Sequence, residues 1–371
     1  MPAATLAAWT RAARAVGSAA APVGLGIALV LGCTAPRPSA GSPAQPAPGV
    51  APGPQAPAVQ TAEPLRVVYL TTGKTWSQVP LLVADQQGFF AAEHLDVEIN
   101  FGGQSSTVCQ SLSSRSVDMG NCSINDLIQS VEIGGAPLAI LMTESVTALN
   151  YAAVAKPEYR MWHDLRGKLL MVDSPRGNTV YFWRTMARAN GLADDEYDFQ
   201  YAGTTNARYA ALKSGAVDAV ILTDPFDAEA VKEGYTRLDD LRPKYINADN
   251  YLGPGPAVNR DWARENPEAA VRYVRAALAA IRWIYDPANK ETLLAQMEAT
   301  LNLSREALDY TYQRNVVDFK QWSTDGRVKD SAIQGVLDSL VELGYLDRPT
   351  PPPTKYYDMT YVELAHQAPR Q

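Results

Sequence analysis

From Leu65 onward, short apolar runs rich in β-branched residues alternate with segments whose apolar positions recur every three or four residues. Residues 66–70 predict a strand, and the Thr-Thr-Gly-Lys-Thr-Trp-Ser run at 71–77 predicts the loop after it. Pro80 suits the first turn of a helix that carries Leu82, Val83, Phe89 and Phe90 at helical spacing, with Gly88 near its end. Residues 96–101 predict the next strand, Gly102-Gly103-Gln104-Ser105-Ser106 the loop and helix start behind it, and 117–120 and 138–142 two further strands. A second round follows, with a strand at 169–173, a helix from Gly177-Asn178-Thr179 to Asn190-Gly191, and strands at 199–202 and 219–223. Strand, helix, strand at this spacing predicts βαβ units around parallel sheets.

The two rounds echo each other. Leu112, Ser114, Val117 and Asp118 recur as Leu212, Ser214, Val217 and Asp218, offset by 100 positions. Two similarly built α/β lobes are the simplest account of that echo. Beyond Asn259 the pattern turns helical: Pro267 opens a helix with Val271, Val274, Ile281 and Ile284 on one face, and Ile333, Val336, Leu337, Leu340 and Val341 form another, closed by Gly344. These stripes read as core packing.

The chain ahead of Leu65 has a different character. Residues 1–32 contain no acid, carry Arg11 and Arg14 early, and then run apolar through Val23, Leu25, Ile27, Leu29, Val30 and Leu31. A charged start followed by an apolar run too short to span a bilayer predicts a signal peptide. It ends Val30-Leu31-Gly32-Cys33, which resembles a bacterial lipobox, so Cys33 is the expected lipidated residue; an incidental Cys beside an ordinary cleavage site is the alternative. Residues 33–64 form a tether, with nine prolines from Thr34 to Pro64 and Arg37 and Glu63 as its charges. Such a stretch buries too little apolar surface to offset the entropy of ordering it.

The 371 residues are 46% hydrophobic and 20% charged, with a net charge of -7, which excludes a fully disordered or collagen-like chain. The acidic balance, with no Lys/Arg cluster, lacks the footprint of nucleic-acid binding. His94, His163 and His366, with Cys33, Cys109 and Cys122, show none of the spacings of a zinc site. No cofactor is expected.

Several stretches together resemble the solute-binding proteins of ABC importers, in the group that includes taurine, alkanesulfonate and nitrate binding proteins and those for thiamine's pyrimidine precursors. They are Pro80-Leu-Leu-Val-Ala84 with Gly88-Phe89-Phe90 and His94-Leu95-Asp96-Val97-Glu98, then Asp164-Leu-Arg-Gly-Lys168, Ala211-Leu-Lys-Ser-Gly-Ala-Val-Asp-Ala219, Asp224-Pro225-Phe226, and Trp262-Ala263 through Asn266-Pro267-Glu268. The resemblance covers roughly residues 65 to 345. His94 and Arg115 depart from it, since each stands where the group usually has Gly. What it implies is an α/β, type II periplasmic-binding-protein fold: two lobes joined by two crossover segments, closing on a ligand. Lobe one is expected at 65–149 plus 259–371 and lobe two at 150–258, with crossings near 150–155 and 251–258. Partners implied are an ABC permease and ATPase and, through the lipid anchor, the outer face of a membrane. The protein is expected to be a monomer, extracytoplasmic, and not an enzyme. The alternatives are an enzyme resembling thiamine pyrimidine synthases, whose active-site lysine and Cys-rich signature are not found here, or a sensor lobe without transport.

Physical reasoning points to the same cleft. Ligands of open α/β sheets bind outside the carboxyl ends of strands, where loops lead into helix N-termini. The candidates on those loops are Thr72, Lys74, Trp76, Ser77, Gln104, Ser105, Asn121, Ser123, Ser174, Arg176, Asn178 and Thr179, with Tyr201, Thr204 and Asp224 reaching in from lobe two. Trp76 either stacks on a flat ligand or covers the helix behind it. Arg176 either clamps a sulfonate or carboxylate or stays in solvent. Asp224 either faces an amine or ring N–H or caps the Pro225 turn. Lys74 and Arg176 lean toward a sulfonate, Trp76 and Asp224 toward an aminopyrimidine-like ring. Cys109 and Cys122 flank a helix-to-strand connection and are either a disulfide or two small buried residues.

Overall fold

A computed structural model describes residues 63–146, 151–175, 177–241, 245 and 252–367. The expected signal peptide, the expected lipidation site Cys33, nearly all of the expected tether and the candidate Arg176 lie outside the described residues.

Leu65–Thr71 (β1) pairs in parallel with Leu95–Phe101 (β2) and Met119–Cys122 (β3). Gly255–Asn259 (β10) joins antiparallel beside β3, and Leu138–Ile140 (β4) closes the edge. The second sheet repeats this plan: Leu169–Val172 (β6) lies parallel to Asp198–Tyr201 (β7) and Ala219–Thr223 (β8), then Tyr151–Ala155 (β5) runs antiparallel beside β8, with Thr236–Asp240 (β9) at the edge. The orders are β2-β1-β3-β10-β4 and β7-β6-β8-β5-β9. The fourth strand of each sheet therefore arrives from the other sheet. The stretch expected as the return crossing ends as β10, a strand of the first sheet, and the outbound one begins β5 of the second, so the chain changes sheet within 141–150 and again within 241–254.

Helices flank the strands in alternation. Val79–Gln86 (α1) and Phe89–Ala92 (α2) follow β1, Ser105–Ser113 (α3) follows β2, and Ile124–Glu132 (α4) follows β3. Asn178–Ala189 (α5), Thr205–Lys213 (α6) and Phe226–Lys232 (α7) stand in the equivalent places of the second lobe. The C-terminal third is helical: Arg260–Glu265 (α8), Pro267–Tyr285 (α9), Lys290–Leu301 (α10), Arg305–Tyr312 (α11), Asp330–Glu342 (α12) and Thr360–Gln367 (α13), with a π-helical turn at Gln313–Asp318. The apolar face of α9, through Tyr273, Val274, Ile281 and Ile284, packs on α1 and on the first sheet and forms the core of lobe one.

The 100-residue echo has a structural counterpart. Asp118 Oδ2 accepts the backbone N–H of Val68 at 2.8 Å, and Asp218 Oδ2 accepts that of Leu169 at 3.1 Å, so each Asp ties the start of its third strand to the first strand of its sheet. Ser105 Oγ accepts the Ser123 N–H at 2.7 Å and Thr205 Oγ1 the Thr223 N–H at 3.2 Å. The two departures from the family pattern sit where glycine's freedom is needed: His94 and Arg115 have φ of 53° and 61°, the left-handed region. Gly215, the counterpart of Arg115, has φ of 76°.

Candidate functional site

The carboxyl ends of both sheets face one cavity of about 80 Å³. From lobe one, Thr72, Thr75, Ser77 and Gln78 line it in the loop after β1, Ser105 at the start of α3, and Asn121 and Ser123 between β3 and α4. From lobe two come Tyr151 at the head of β5, Asp173 after β6, Asn178 and Thr179 at the start of α5, Gly203, Thr205 and Arg208 around the start of α6, and Thr223 at the end of β8. Pro254 arrives with the return crossing. The N-terminal residues of α3, α5 and α6, and the N-cap of α4, thus border one space, and helix N-termini favour anions and polar acceptors.

Two buried charged side chains line the cavity. Arg208 is 3% exposed; its Nε donates to the carbonyl of Ile221 at 2.7 Å and its Nη1 to those of Ala202 and Gly203 at 3.0 and 3.4 Å. Those neutral carbonyls fix the guanidinium without cancelling its charge, and among the described residues Nη2 has no hydrogen-bond partner. Asp173 accepts from the Ser174 N–H at 2.7 Å and from the Thr179 hydroxyl. Burial pushes its carboxyl above the ordinary Asp value, and the Arg208 guanidinium pulls the other way. A Cβ at Gly177 would fall 2.2 Å from Asp173 Oδ1, so a side chain here would displace the Asp173 carboxylate. The Tyr151 hydroxyl accepts from Asn178 Nδ2 at 3.4 Å, and burial pushes its pKa above the ordinary Tyr value, which keeps it protonated. Facing them from lobe one, Asn121 Nδ2 is a buried donor without a partner.

The lobes touch at the rim. A Cβ built on Gly203 would lie 2.8 Å from Gln104 Cα, and one on Gly73 would lie 3.5 Å from Thr204 Cγ2. Glycine at 203 therefore permits the closed lip.

Of the expected contact residues, Thr72, Ser77, Ser105, Asn121, Ser123, Asn178 and Thr179 line the cavity. Trp76 does not: it is fully buried in the core of lobe one beside Trp322, ring centroids 5.9 Å apart, so the stacking role is corrected to packing. Asp224 is also buried away from the cavity. It accepts from Asn315 Nδ2 at 2.8 Å, and burial with neighbouring Asp227 drives its carboxyl well above the ordinary value. Lys74 stands over the Phe101 ring at 5.3 Å, outside the lining. Tyr201 is exposed beside Phe199, Ser174 is buried behind the lining, Gln104 belongs to the lip, and Thr204 caps α6 by accepting the Ala207 N–H at 3.2 Å. Cys109 and Cys122 are joined as a disulfide, Cα atoms 6.1 Å apart, which ties α3 to the end of β3 next to Ser123.

Sequence reasoning missed Arg208, Asp173 and Tyr151. Arg208 has a legible signal, one turn past the Thr204-Thr205 helix start, because a cation there turns back over the strand ends. Asp173 is the last residue of a predicted strand and was passed over for Ser174. Tyr151 opens a strand within the stretch expected as the outbound crossing, 150–155, and so was not read as cavity wall.

Among the described residues no group of three or more His, Cys, Asp or Glu is placed to hold a metal, and no helix is long and apolar enough to cross a membrane.

Comparison with known proteins places this arrangement. The model of the NMT1/THI5-like family matches residues 76–290. The bicarbonate transport ATP-binding protein CmpC of Synechococcus elongatus is 32% identical over 103 residues, covering 27% of this chain and 15% of that protein's length. Among solved structures, the alkanesulfonate-binding protein SsuA from Xanthomonas axonopodis pv. citri, bound to MOPS, aligns with a TM-score of 0.65 at 15% identity over 80% of this chain and 99% of that one. The periplasmic nitrate-binding protein NrtA from Synechocystis PCC 6803 aligns with a TM-score of 0.68 at 16% identity over 82% of this chain and 89% of that one. The fold is that of these periplasmic binding proteins.

Proposed function

Because this chain belongs to the NMT1/THI5-like family, we propose that it is an extracytoplasmic solute-binding protein that captures a small organic solute between its lobes and delivers it to an ABC permease and its ATPase. The observation that carries this reading is a cavity to which both lobes contribute buried polar groups at their strand ends. A solute touching both lobes contacts them fully only when they are closed, so it shifts the open and closed populations by its differential affinity. The closed form is then the species that docks on the permease. In this reading Cys33 carries the lipid, 33–64 is the tether, and the protein acts as a monomer and a binder, not an enzyme.

The solute class follows from the lining. Arg208 and Asn121 offer donors to a sulfonate or other anionic head, while Asp173 and Tyr151 accept from an amine or an aminopyrimidine-like ring N–H. With Trp76 in the core, the argument for a stacked aromatic ring is gone, and the case for an organic solute rests on Asp173, which can accept from an amine or ring N–H that a bare anion such as nitrate lacks. Recognition is thereby carried by Thr72, Ser77, Ser105, Asn121, Ser123, Tyr151, Asp173, Asn178, Thr179 and Arg208.

Thermal unfolding of the purified chain against alkanesulfonates, aminosulfonates, nitrate, bicarbonate and aminopyrimidines tests this reading. A solute at about 100 times its dissociation constant adds about 2.7 kcal/mol, a shift of a few degrees. A shift with one class identifies the solute. No shift with any class, together with no retained small molecule in native mass spectrometry, overturns the binding reading.

A further inference from the structure

Among the contacts that join lobe one to lobe two outside the crossings, two are of opposite chemistry. At the cleft lip the partners are small or neutral: Gly203 against Gln104 and Gly73 against Thr204, with no ion pair among the described residues there. On another flank, α11 and the π-helical turn after it, whose Leu308, Tyr312 and Val316 belong to the core of lobe one, lie against α7 and the ends of β8 and β9 of lobe two.

That second contact is a buried polar network. Asn315, fully buried, donates to Asp224 Oδ2 at 2.8 Å. Arg314 reaches Asp224 at 3.7 Å and Asp240 at 3.5 Å. Arg237 pairs with Asp227 at 2.7 Å and with Asp240 at 3.4 Å, and both arginines donate to the Tyr310 hydroxyl at 3.0 Å. Ser304 Oγ donates to Glu229 Oε2 at 2.5 Å. Parting α11 from α7 would break Asp224 from Asn315 and Arg314, Asp240 from Arg314, Arg237 from Tyr310 and Glu229 from Ser304 together, whereas the lip parts only van der Waals contacts. The network also adjoins both crossings. Asp240 is the last residue of β9 before the return crossing, and the Val146 N–H, in the outbound one, donates to the Gln321 carbonyl at 2.8 Å, just beyond the π-helical turn. The remaining polar ties between α5 or its preceding loop and the α12 region are exposed: Arg188 with Glu342 at 2.7 Å and the Tyr345 hydroxyl with the Pro175 carbonyl at 2.9 Å. Exposed pairs of this kind are weak.

We propose that the contact of α7 and β9 with α11 and the π-helical turn is a fixed polar pivot, which stays closed while the lobes rotate apart at the Gln104–Gly203 lip. The pivot supplies a third connection beside the two crossings and sets the direction in which the cleft opens. This rests on the reading that the cavity between the lobes exchanges solute, but it concerns the motion and not the solute's identity.

Two cross-links in the full chain test it. Gly73→Cys with Thr204→Cys closes the lip by a disulfide, since a Cβ at 73 falls 3.8 Å from Thr204 Cβ. Ser304→Cys with Glu229→Cys, joined by a short bis-maleimide, fastens the pivot. Hydrogen–deuterium exchange at the backbone amides of 121–124 and 203–206 reads opening without any solute. The expected result is at least a tenfold slowing with the lip closed, and less than a twofold change with the pivot fastened. Equal slowing by both cross-links overturns the proposal, as does a lip cross-link that slows nothing. A solute screen that finds no ligand while the exchange pattern holds would remove the binding reading and leave the pivot standing. If the lip pair fails to form its disulfide, the same exchange measured with Asn315→Leu decides: cleft amides that exchange faster by tenfold without loss of the fold support the pivot, and unchanged exchange overturns it.

Discussion

Ser105 Oγ accepts the backbone N–H of Ser123 at 2.7 Å, and this bond holds the first turn of α3 against the loop between β3 and α4. Its twin across the cleft joins Thr205 and Thr223. The two lobes thus build their halves of the cavity wall with the same device, one hydroxyl from a helix start satisfying an amide at the end of the third strand. All four residues line the cavity.

Trp76 fills the core of lobe one and does not wall the cleft. Trp76→Ala is expected to cost about 3–5 kcal/mol in denaturant-induced unfolding, through lost transfer energy and a residual cavity. Affinity at temperatures where the variant remains folded should change little. A stable variant that has lost binding would return Trp76 to the cleft.

Gly203→Ala separates stability from closure. The added methyl meets Gln104 in the closed lip, whereas the open form has room for it. Stability should hold or rise slightly, by up to about 1 kcal/mol, because alanine restricts the unfolded chain. Affinity for a solute found in the thermal screen should drop at least tenfold, and small-angle scattering should report a larger radius of gyration. Wild-type affinity would show that the lip does not close around the solute.

Glu144 is buried near Tyr69 and Tyr273, and burial pushes its carboxyl up to about 8 from an ordinary value of 4.5. In the folded protein the group keeps its proton through a range in which the unfolded chain has lost it. Its contribution is therefore fully present below pH 4.5 and is lost as pH rises to about 8, at about 1.4 kcal/mol per pH unit. Glu144→Gln should flatten the fall in stability over that window. An unchanged slope in chemical denaturation at pH 5, 6.5 and 8 would count against this assignment.

Arg115 adopts the left-handed backbone that Gly215 adopts in the other lobe. Arg115→Gly and Arg115→Ala both remove the exposed pair with Glu265, so their difference isolates the backbone. The glycine variant should be the more stable by about 1 kcal/mol. Equal midpoints in urea would show that the turn relaxes.

Much of the fold was legible because its signals are local. The periods of 2 and 3.6 placed β1, β2, β6, β7 and β8 and the helices α5, α9 and α12 within a few residues, and the echo of Leu112 to Asp118 in Leu212 to Asp218 announced two lobes of one plan. The strand-end loops were placed by the same logic, so the Thr, Ser and Asn side chains they carry were found together with the cavity. The strands β5, β9 and β10 were not marked, since each owes its pairing to neighbours brought in by the crossings.

What the sequence by itself determined is the order of elements, the polar character of the loops that meet, and the family pattern written through them. Which long side chains enter the cavity was decided by tertiary structure. Trp76 turns inward because Trp322, far along the chain, packs beside it, and Asp224 is drawn to Asn315 and Arg314 on a helical segment that the loop pattern gave no reason to place there. Arg208 faces the cavity because the carbonyls of Ala202, Gly203 and Ile221 converge on it from two strand ends. A side chain with several rotatable bonds reaches in many directions from one backbone position, and the partner it finds is fixed by elements remote in sequence.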